Sequence, residues 1–416
     1  MHIAIIGAGV VGITTAYELA ADGHQVTVFE RHTAAAAETS FANAGVVAPG
    51  YVTPWAAPGM PGKVLRYLLK RHAPITLGWP LGVRDLAWMA RWLRACRLDT
   101  YLANRARMQR LAFYSRERLH QLTQDLRLAY DRSDGYMVLL RSEQDARLVE
   151  PGLQVLHDAG VRFARLDATA ARLVEPALSP DMDFYGAIQL PDDEVGNCRQ
   201  FCMLLKTEAQ GLGVDFQFGS RITRIEAGPP VALRLADGSA RSFDAVVCSA
   251  GLHSAQLLRP LGLRLPLAAV HGYSITATIR EALNAPRSAV MDERYKVAIS
   301  RLGLRVRVAG SAEIGGDPDR HREASVQTLY KVLHDWFPGA ASMQAGVQVW
   351  KGARPMLPDG PPVLGHSGVP GIWLNLGHGS SGWALSCGSA RVLADQIAGR
   401  APAVDTEGLG IERLRR

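Results

Sequence analysis

The first thirty residues of this 416-residue chain carry a glycine pattern that leaves few ways to fold. His2 to Ile6 is a short apolar run with the length and β-branching of a buried parallel strand. It runs directly into Gly7-Ala8-Gly9-Val10-Val11-Gly12, and residues 11–22 then read as a helix stopped by Gly23. A second buried strand, 25–29, ends on Glu30. Strand, GxGxxG turn, helix and acid-terminated strand together make a βαβ unit of about thirty residues that suits a dinucleotide. Gly7 permits the tight turn, Gly9 lets backbone approach a pyrophosphate, and Gly12 lets helix and strand pack closely. Val10 and Val11 open a helix whose free N–H groups and partial positive charge face the phosphates. Glu30 stands eighteen residues after Gly12, placed to accept both hydroxyls of an adenosine ribose, with Arg31 beside it. Its charge would repel a 2′-phosphate, so NAD or FAD is favoured over NADP.

The length exceeds one small core and calls for two or three domains, or one large domain with an inserted lobe. With 48% hydrophobic and 20% charged residues and a mean hydropathy of +0.00, disorder and fibrous repeats are excluded. The net charge of +7 comes with no nucleic-acid-binding motif, so no nucleic acid partner is expected. That charge is uneven: residues 63–110 hold eleven Lys or Arg against Asp85 and Asp99, a local surplus of +9. Solvated helix faces are the plain explanation, and peripheral contact with an anionic membrane is the sharper one. Five cysteines, an odd number without a CxxC, read as reduced structural thiols, and no metal site is expected. The N-terminus lacks the basic start of a signal peptide, and no uncharged run reaches the roughly 20 residues that span a bilayer. The expectation is a soluble cytoplasmic protein, with the inner face of the cell membrane as an alternative resting place.

The opening motif does not separate NAD from FAD, but the segment after it does. Residues 39–45, Thr-Ser-Phe-Ala-Asn-Ala-Gly, are small and polar-capped where an NAD domain would continue into helix and strand. Pro49-Gly50-Tyr51 and Pro54-Trp55-Ala56-Ala57-Pro58-Gly59 come next, a loop suited to wrapping an extended cofactor. In the stretch from Glu38 to Gly45 the chain resembles the D-amino acid dehydrogenase family, within the glycine, sarcosine and D-amino acid oxidase superfamily. The resemblance implies an α/β fold: a discontinuous Rossmann-like FAD-binding domain with an α+β substrate lobe built on an antiparallel sheet. It also implies an FAD whose diphosphate sits on the first helix and whose flavin side is lined by Ser40, Asn43, Ala44 and Gly45.

Two C-terminal clusters extend the resemblance. Residues 350–365 are dense in Pro and Gly, which predicts an ordered loop. A guanidinium held rigidly there is a natural fork for a carboxylate, although a lone Arg is commonly a solvated charge or packing partner. The resemblance assigns Arg354 of the Gly-x-Arg-Pro motif to the substrate carboxylate. Then comes an apolar strand, 372–376, and Gly377-His378-Gly379-Ser380-Ser381-Gly382-Trp383 ahead of a helix over 384–397 that stops at Gly399. The dipole of a glycine turn feeding a helix can stabilise negative charge on a reduced flavin. His378 has a chemical role there or a capping one.

Residues 195–251 read as the rest of the cofactor domain: a helix over 197–211, then strands at 214–218, 221–226, 231–235 and 242–249. The last ends in the small turn Ala250-Gly251 near the diphosphate, and the resemblance places backbone near Ile222 at the adenine. Amphipathic helices are predicted at 63–69, 83–97 and 105–128, strands at 135–140 and 186–190, and antiparallel alternation over 272–314. The resulting division is 1–60, 195–271 and 350–416 for FAD, and 61–194 and 272–349 for substrate. Tyr273, at the entry to the second sheet, is a candidate to hold a carboxylate or amine, or a buried strand tyrosine; His253 reads as structural.

The resemblance implies oxidative deamination of a D-amino acid, with Arg354, Tyr273 and His378 as catalytic candidates. Hydride passes from the α carbon to flavin N5, the imine hydrolyses to a 2-oxo acid and ammonia, and electrons go on to a quinone or respiratory acceptor. The alternatives are oxidation of secondary amino acids of the D-hydroxyproline, glycine or sarcosine type, a non-catalytic FAD-binding electron-transfer subunit, and an NAD-dependent dehydrogenase.

Overall fold

The computed structural model describes residues 1–67, 72–342 and 346–415. Its first sheet has six strands, in the order Val363–His366, Ile372–Leu376, Ala245–Cys248, His2–Ile6, Gln25–Phe29 and Asp215–Gln217. All neighbours are parallel except the first pair. The inner strands His2–Ile6, Gln25–Phe29, Ala245–Cys248 and Ile372–Leu376 are largely buried and are the near-continuous apolar runs seen in the sequence, whereas the edge strand Asp215–Gln217 is partly exposed. On one face pack helices Val10–Ala21, Cys198–Gly211 and Gly382–Ile397, sharing a core with Ile13, Leu19, Phe201, Leu205, Leu385 and Val392. The other face is closed by a three-stranded meander, Ile222–Glu226, Val231–Leu235 and Ala240–Phe243.

The single strand predicted at 242–249 is two. Ala240–Phe243 ends the meander, and Ala245–Cys248 joins the parallel sheet. Asp244 is the corner between them: its backbone N–H donates to the His2 carbonyl (2.9 Å), and its carboxylate accepts from the His2 N–H (2.7 Å).

The second sheet is mostly antiparallel and runs Gln348–Met356, Ala268–Thr278, Arg305–Gly315, Val297–Leu302, Ala289–Asp292, Ser133–Leu140, Gly186–Val195 and Val46–Val47. Helix Glu323–Trp336 covers one face, packing Leu329, Val332 and Trp336 against Tyr273, Ile275 and Val308. The loop predicted over 350–365 is corrected in its first part, since Gln348–Met356 is a strand in continuous register with Ala268–Thr278. Pro355 is tolerated because this strand forms the edge of the sheet.

The boundaries expected at 271/272 and 349/350 both fall inside strands of this sheet. The long helix Leu98–Asp125, counted with the substrate segment, sends Met108, Leu111, Leu119 and Leu122 into the core of the first sheet. The helix predicted over 63–69 is found as Met60–Tyr67, and positions 68 and 69 lie outside the described residues. Among the described residues no helix is long and apolar enough to cross a membrane.

Candidate active site

Strands His2–Ile6, Ala245–Cys248 and Ile372–Leu376 are parallel neighbours, with Ile6 beside Cys248 and Cys248 beside Leu374. The first two therefore end level and the third runs two residues further, so the turns after them open along one sheet edge. This is where open α/β sheets bind ligands. These turns, with loop 37–46, enclose a cleft of about 1420 Å³ of atom-free space including its mouth. Every nucleotide-binding position expected from sequence lines it except Gly12 and Ser381.

Gly7 has φ +106°, and a Cβ there would come within 2.7 Å of the Ser249 carbonyl. A Cβ on Gly12 would lie 1.9 Å from the Gly7 carbonyl oxygen, so Gly12 acts beneath the turn, letting helix and strand close on each other. Gly9 caps helix Val10–Ala21, and the Val10 N–H donates to Ser40 Oγ (3.0 Å). The Glu30 carboxylate accepts from the Ala8 N–H (2.8 Å) through one oxygen and from the His32 N–H (2.9 Å) through the other. Each oxygen keeps lone pairs for a further donor. Arg31 and His32 both pair with Glu38, and the guanidinium and imidazole hold its carboxyl below the usual range against the opposing effect of burial. Arg221 and His253 also line this end, so His253, read from sequence as structural, is a wall of the cleft.

At the other end, loop 43–45 is pinned from three directions. Trp383 Nε1–H donates to the Gly45 carbonyl (3.1 Å), Ser300 Oγ to that of Ala44 (2.7 Å), and Arg307 to that of Asn43 (3.1 Å). Asn375 lines the cleft and donates to Thr15 (2.9 Å), while its buried Oδ1 has no partner among the described residues. A glycine cradle that any side chain would fill, a paired carboxylate with spare lone pairs and an orphaned acceptor fit a dinucleotide such as FAD.

Arg354 lies at this end, on the edge strand. Its Nη1 donates to the Ser311 carbonyl (3.0 Å), its Cζ sits 5.8 Å from the Trp55 ring centroid, and it forms no ion pair among the described residues. Burial lowers its pKa to about 10, which leaves it charged at neutral pH. His378 also lines the cleft and is buried, its Nε2 3.0 Å from Ser389 Oγ. Because Ser389 donates to the Ser386 carbonyl (3.1 Å), Nε2 carries the proton. Burial lowers the pKa of this imidazole to about 3, so it is neutral.

Tyr273 is not brought into the site. It pairs with Lys351, three residues from Arg354 and so on the opposite face of the strand. Its hydroxyl donates to the Glu313 carboxylate and accepts from the Arg322 N–H (3.1 Å), within a buried network that includes Lys351. Thr39 and Trp55 carried no role in the sequence reading. Thr39 donates to the Ala353 carbonyl (2.7 Å), and Trp55 donates to Ser380 Oγ (3.1 Å). Both contacts span more than three hundred residues, beyond the reach of any local signal.

A largely parallel sheet with a dinucleotide cleft at its carboxyl edge, facing an antiparallel sheet that carries a guanidinium without an ion pair among the described residues, defines a flavin-type oxidoreductase. The chain belongs to the FAD-dependent oxidoreductase family, whose model matches residues 2–396. It is 45% identical to the D-amino acid dehydrogenase of Methylobacterium radiotolerans over 418 aligned positions, covering 99% of each chain. It is also 45% identical to that of Cereibacter sphaeroides, covering 99% of this chain and 95% of the relative. Glycine oxidase from Geobacillus kaustophilus superposes with a TM-score of 0.78 at 21% identity, over 98% of this chain and 97% of the other, and shares its fold. The chain is thus an FAD-dependent amino acid oxidoreductase of the D-amino acid dehydrogenase family.

Proposed function

We propose that the chain oxidatively deaminates D-amino acids to 2-oxo acids and ammonia, with Arg354 as the partner of the substrate carboxylate. The observation that carries this is a half-buried, charged guanidinium at the Asn43–His378 end of the cleft with no carboxylate partner among the described residues. A substrate carboxylate supplies the missing counter-charge and can bind in the bidentate fashion guanidinium favours.

The first sheet and its helices hold the nucleotide, and the second sheet covers its reactive end. The 7–12 turn and the N-terminus of helix Val10–Ala21 would hold the diphosphate, Glu30 the ribose, and residues 43–45 with 377–382 the ring system. FAD, when bound, supplies the two-electron acceptor for the hydride of the α carbon. The chain's own residues orient and desolvate. Arg354 fixes the carboxylate, and so the direction of the Cα–H. His378 is a weak base, because burial lowers its pKa to about 3, and its Nε2–H is committed to Ser389, so the amine reacts in its deprotonated form.

Electrons pass to a quinone at a membrane surface. In support, the exposed apolar side chains Leu65, Trp79, Val83, Leu86, Leu93 and Leu98 stand among the exposed Arg84, Arg91, Arg94 and Arg97. The deciding experiment is anaerobic flavin bleaching with a panel of D-, L- and N-methyl amino acids, alongside Arg354→Ala. Bleaching by D-amino acids and a sharply raised KM in the variant are expected. An unchanged kcat/KM in Arg354→Ala would overturn the assignment, and bleaching by N-methyl or L substrates alone would move the substrate class.

A further inference from the structure

The Trp55 indole joins two parts of the cleft that are distant in sequence. Its Nε1–H donates to Ser380 Oγ at 3.1 Å, in the glycine turn ahead of helix Gly382–Ile397. Its ring stands 5.8 Å from Arg354 Cζ. The guanidinium also rests on Gly272, where a Cβ would come within 2.3 Å of Nη2, and Nη1 is tied to the Ser311 carbonyl. Among the described residues the cation thus meets bare backbone, one carbonyl and one aromatic ring. A ring face attracts a cation without taking its N–H donors, whereas an acid in that place would neutralise the charge and occupy the fork.

The loop that carries Trp55 is itself held. Pro54 fills the space left by Gly360, where a Cβ would meet it at 2.8 Å. Trp55 also packs against the cluster of Trp88, Val270 and Met356, and Trp88 Nε1–H donates to the Met356 carbonyl (3.0 Å) on the strand that bears Arg354.

We propose that Trp55 is a positioning residue for carboxylate recognition: its ring keeps the Arg354 guanidinium over Gly272, and its bond to Ser380 fixes the ring relative to the 377–382 turn. This rests on the reading of Arg354 as the carboxylate partner. The test uses the FAD-loaded enzyme with Trp55→Leu, Trp55→Phe and Arg354→Lys. It reads KM and kcat for the best D-amino acid, FAD content, and the flavin absorbance change on titrating benzoate, a carboxylate with no amine to oxidise. Trp55→Leu raises KM and weakens benzoate together by about tenfold, with kcat within about twofold and full FAD content. Trp55→Phe, which keeps a ring face but loses the bond to Ser380, lies between the parent and Trp55→Leu, with KM and benzoate binding weakened by about threefold. Should Trp55→Leu keep the parent KM while Arg354→Lys raises it, the role of Trp55 falls and that of Arg354 stands. If neither variant moves KM or benzoate binding, the reading of Arg354 falls. A Trp55→Leu enzyme that loses FAD and kcat along with KM, without rescue by Phe, shows a structural residue and overturns the proposal.

Discussion

Gly272 and Gly352 face each other directly across the ladder between strands Ala268–Thr278 and Gln348–Met356, and each leaves room for one large side chain. A Cβ on Gly272 would enter the Arg354 guanidinium, at 2.3 Å from Nη2 and 2.6 Å from Cζ. A Cβ on Gly352 would enter the Trp350 indole, at 1.7 Å from Cη2. Neither glycine has a positive φ. Their value is the flat floor they make at the edge of the second sheet.

Gly272→Ala therefore acts on Arg354 and not on the fold. The clash is with the far end of a flexible side chain, so the guanidinium moves and the backbone stays. KM for the amino acid rises by about tenfold or more, while the melting temperature changes by no more than about 3 °C. Steady-state kinetics with thermal melting checks both halves, and a large fall in melting temperature at unchanged KM contradicts the floor.

Gly12→Ala has the opposite signature. Its Cβ would lie 1.9 Å from the Gly7 carbonyl and 3.0 Å from the Gly7 carbonyl carbon, and backbone cannot yield as a side chain does. Overpacking of this kind costs about 1–3 kcal/mol, and here it also pulls the helix N-terminus off the phosphate position. The purified variant carries less FAD per chain and melts earlier, read by the visible spectrum and by calorimetry. A yellow variant of parental stability would show that the turn tolerates a side chain.

These glycines also mark what the sequence reveals and what it does not. Gly7, Gly9, Gly12 and Glu30 are legible because one local crossover, set by contacts within thirty residues, dictates their spacing. Gly377 is legible for the same reason, as a turn between an apolar strand and an apolar helix. Tyr273 is different. Its strand can be read, but the face it presents depends on pairing with Lys351 and on a register shift against Arg305–Gly315, both long-range. The strand over Gln348–Met356 was hidden by its Gly and Pro content, which reads as loop unless the edge position is known. Trp55 gave no local sign, since its partners lie about three hundred residues away.

Acid–base behaviour is set by two groups at the same end of the cleft, the half-buried Arg354 and the buried His378. Arg354, with its pKa lowered to about 10 by desolvation, binds a carboxylate at lower pH and loses that ability as pH rises through about 10. His378, lowered to about 3 by burial, stays neutral across the working range and contributes no ionisation there. The expected profile of kcat/KM rises towards alkaline pH as the substrate amine deprotonates, then falls near pH 10. The alkaline fall appears in KM and in benzoate binding. A fall near neutral pH that vanishes in His378→Asn would instead give the imidazole a chemical role.

Helix Val83–Ala95 presents two apolar faces, one packed and one bare. Trp88 and Ala95 are its buried residues, seven apart and so on one face, while Leu86 and Leu93, also seven apart, are 54% and 51% exposed on another. Arg84, Arg91 and Arg94 flank them, and Trp79, four residues ahead of the helix, and Val83 at its start are more exposed still. An apolar stripe rimmed by arginines suits an anionic bilayer surface, where each cation contributes about 1 kcal/mol at low ionic strength and salt screens the attraction. The FAD-loaded protein should float with vesicles containing anionic lipid at low salt and be released by about 0.5 M salt. Leu86→Glu with Leu93→Glu removes flotation and slows reduction of vesicle-borne quinone, with unchanged turnover on a water-soluble dye. A double variant that still floats like the parent would place the contact elsewhere, and a parent protein that never floats would mean these arginines only face water.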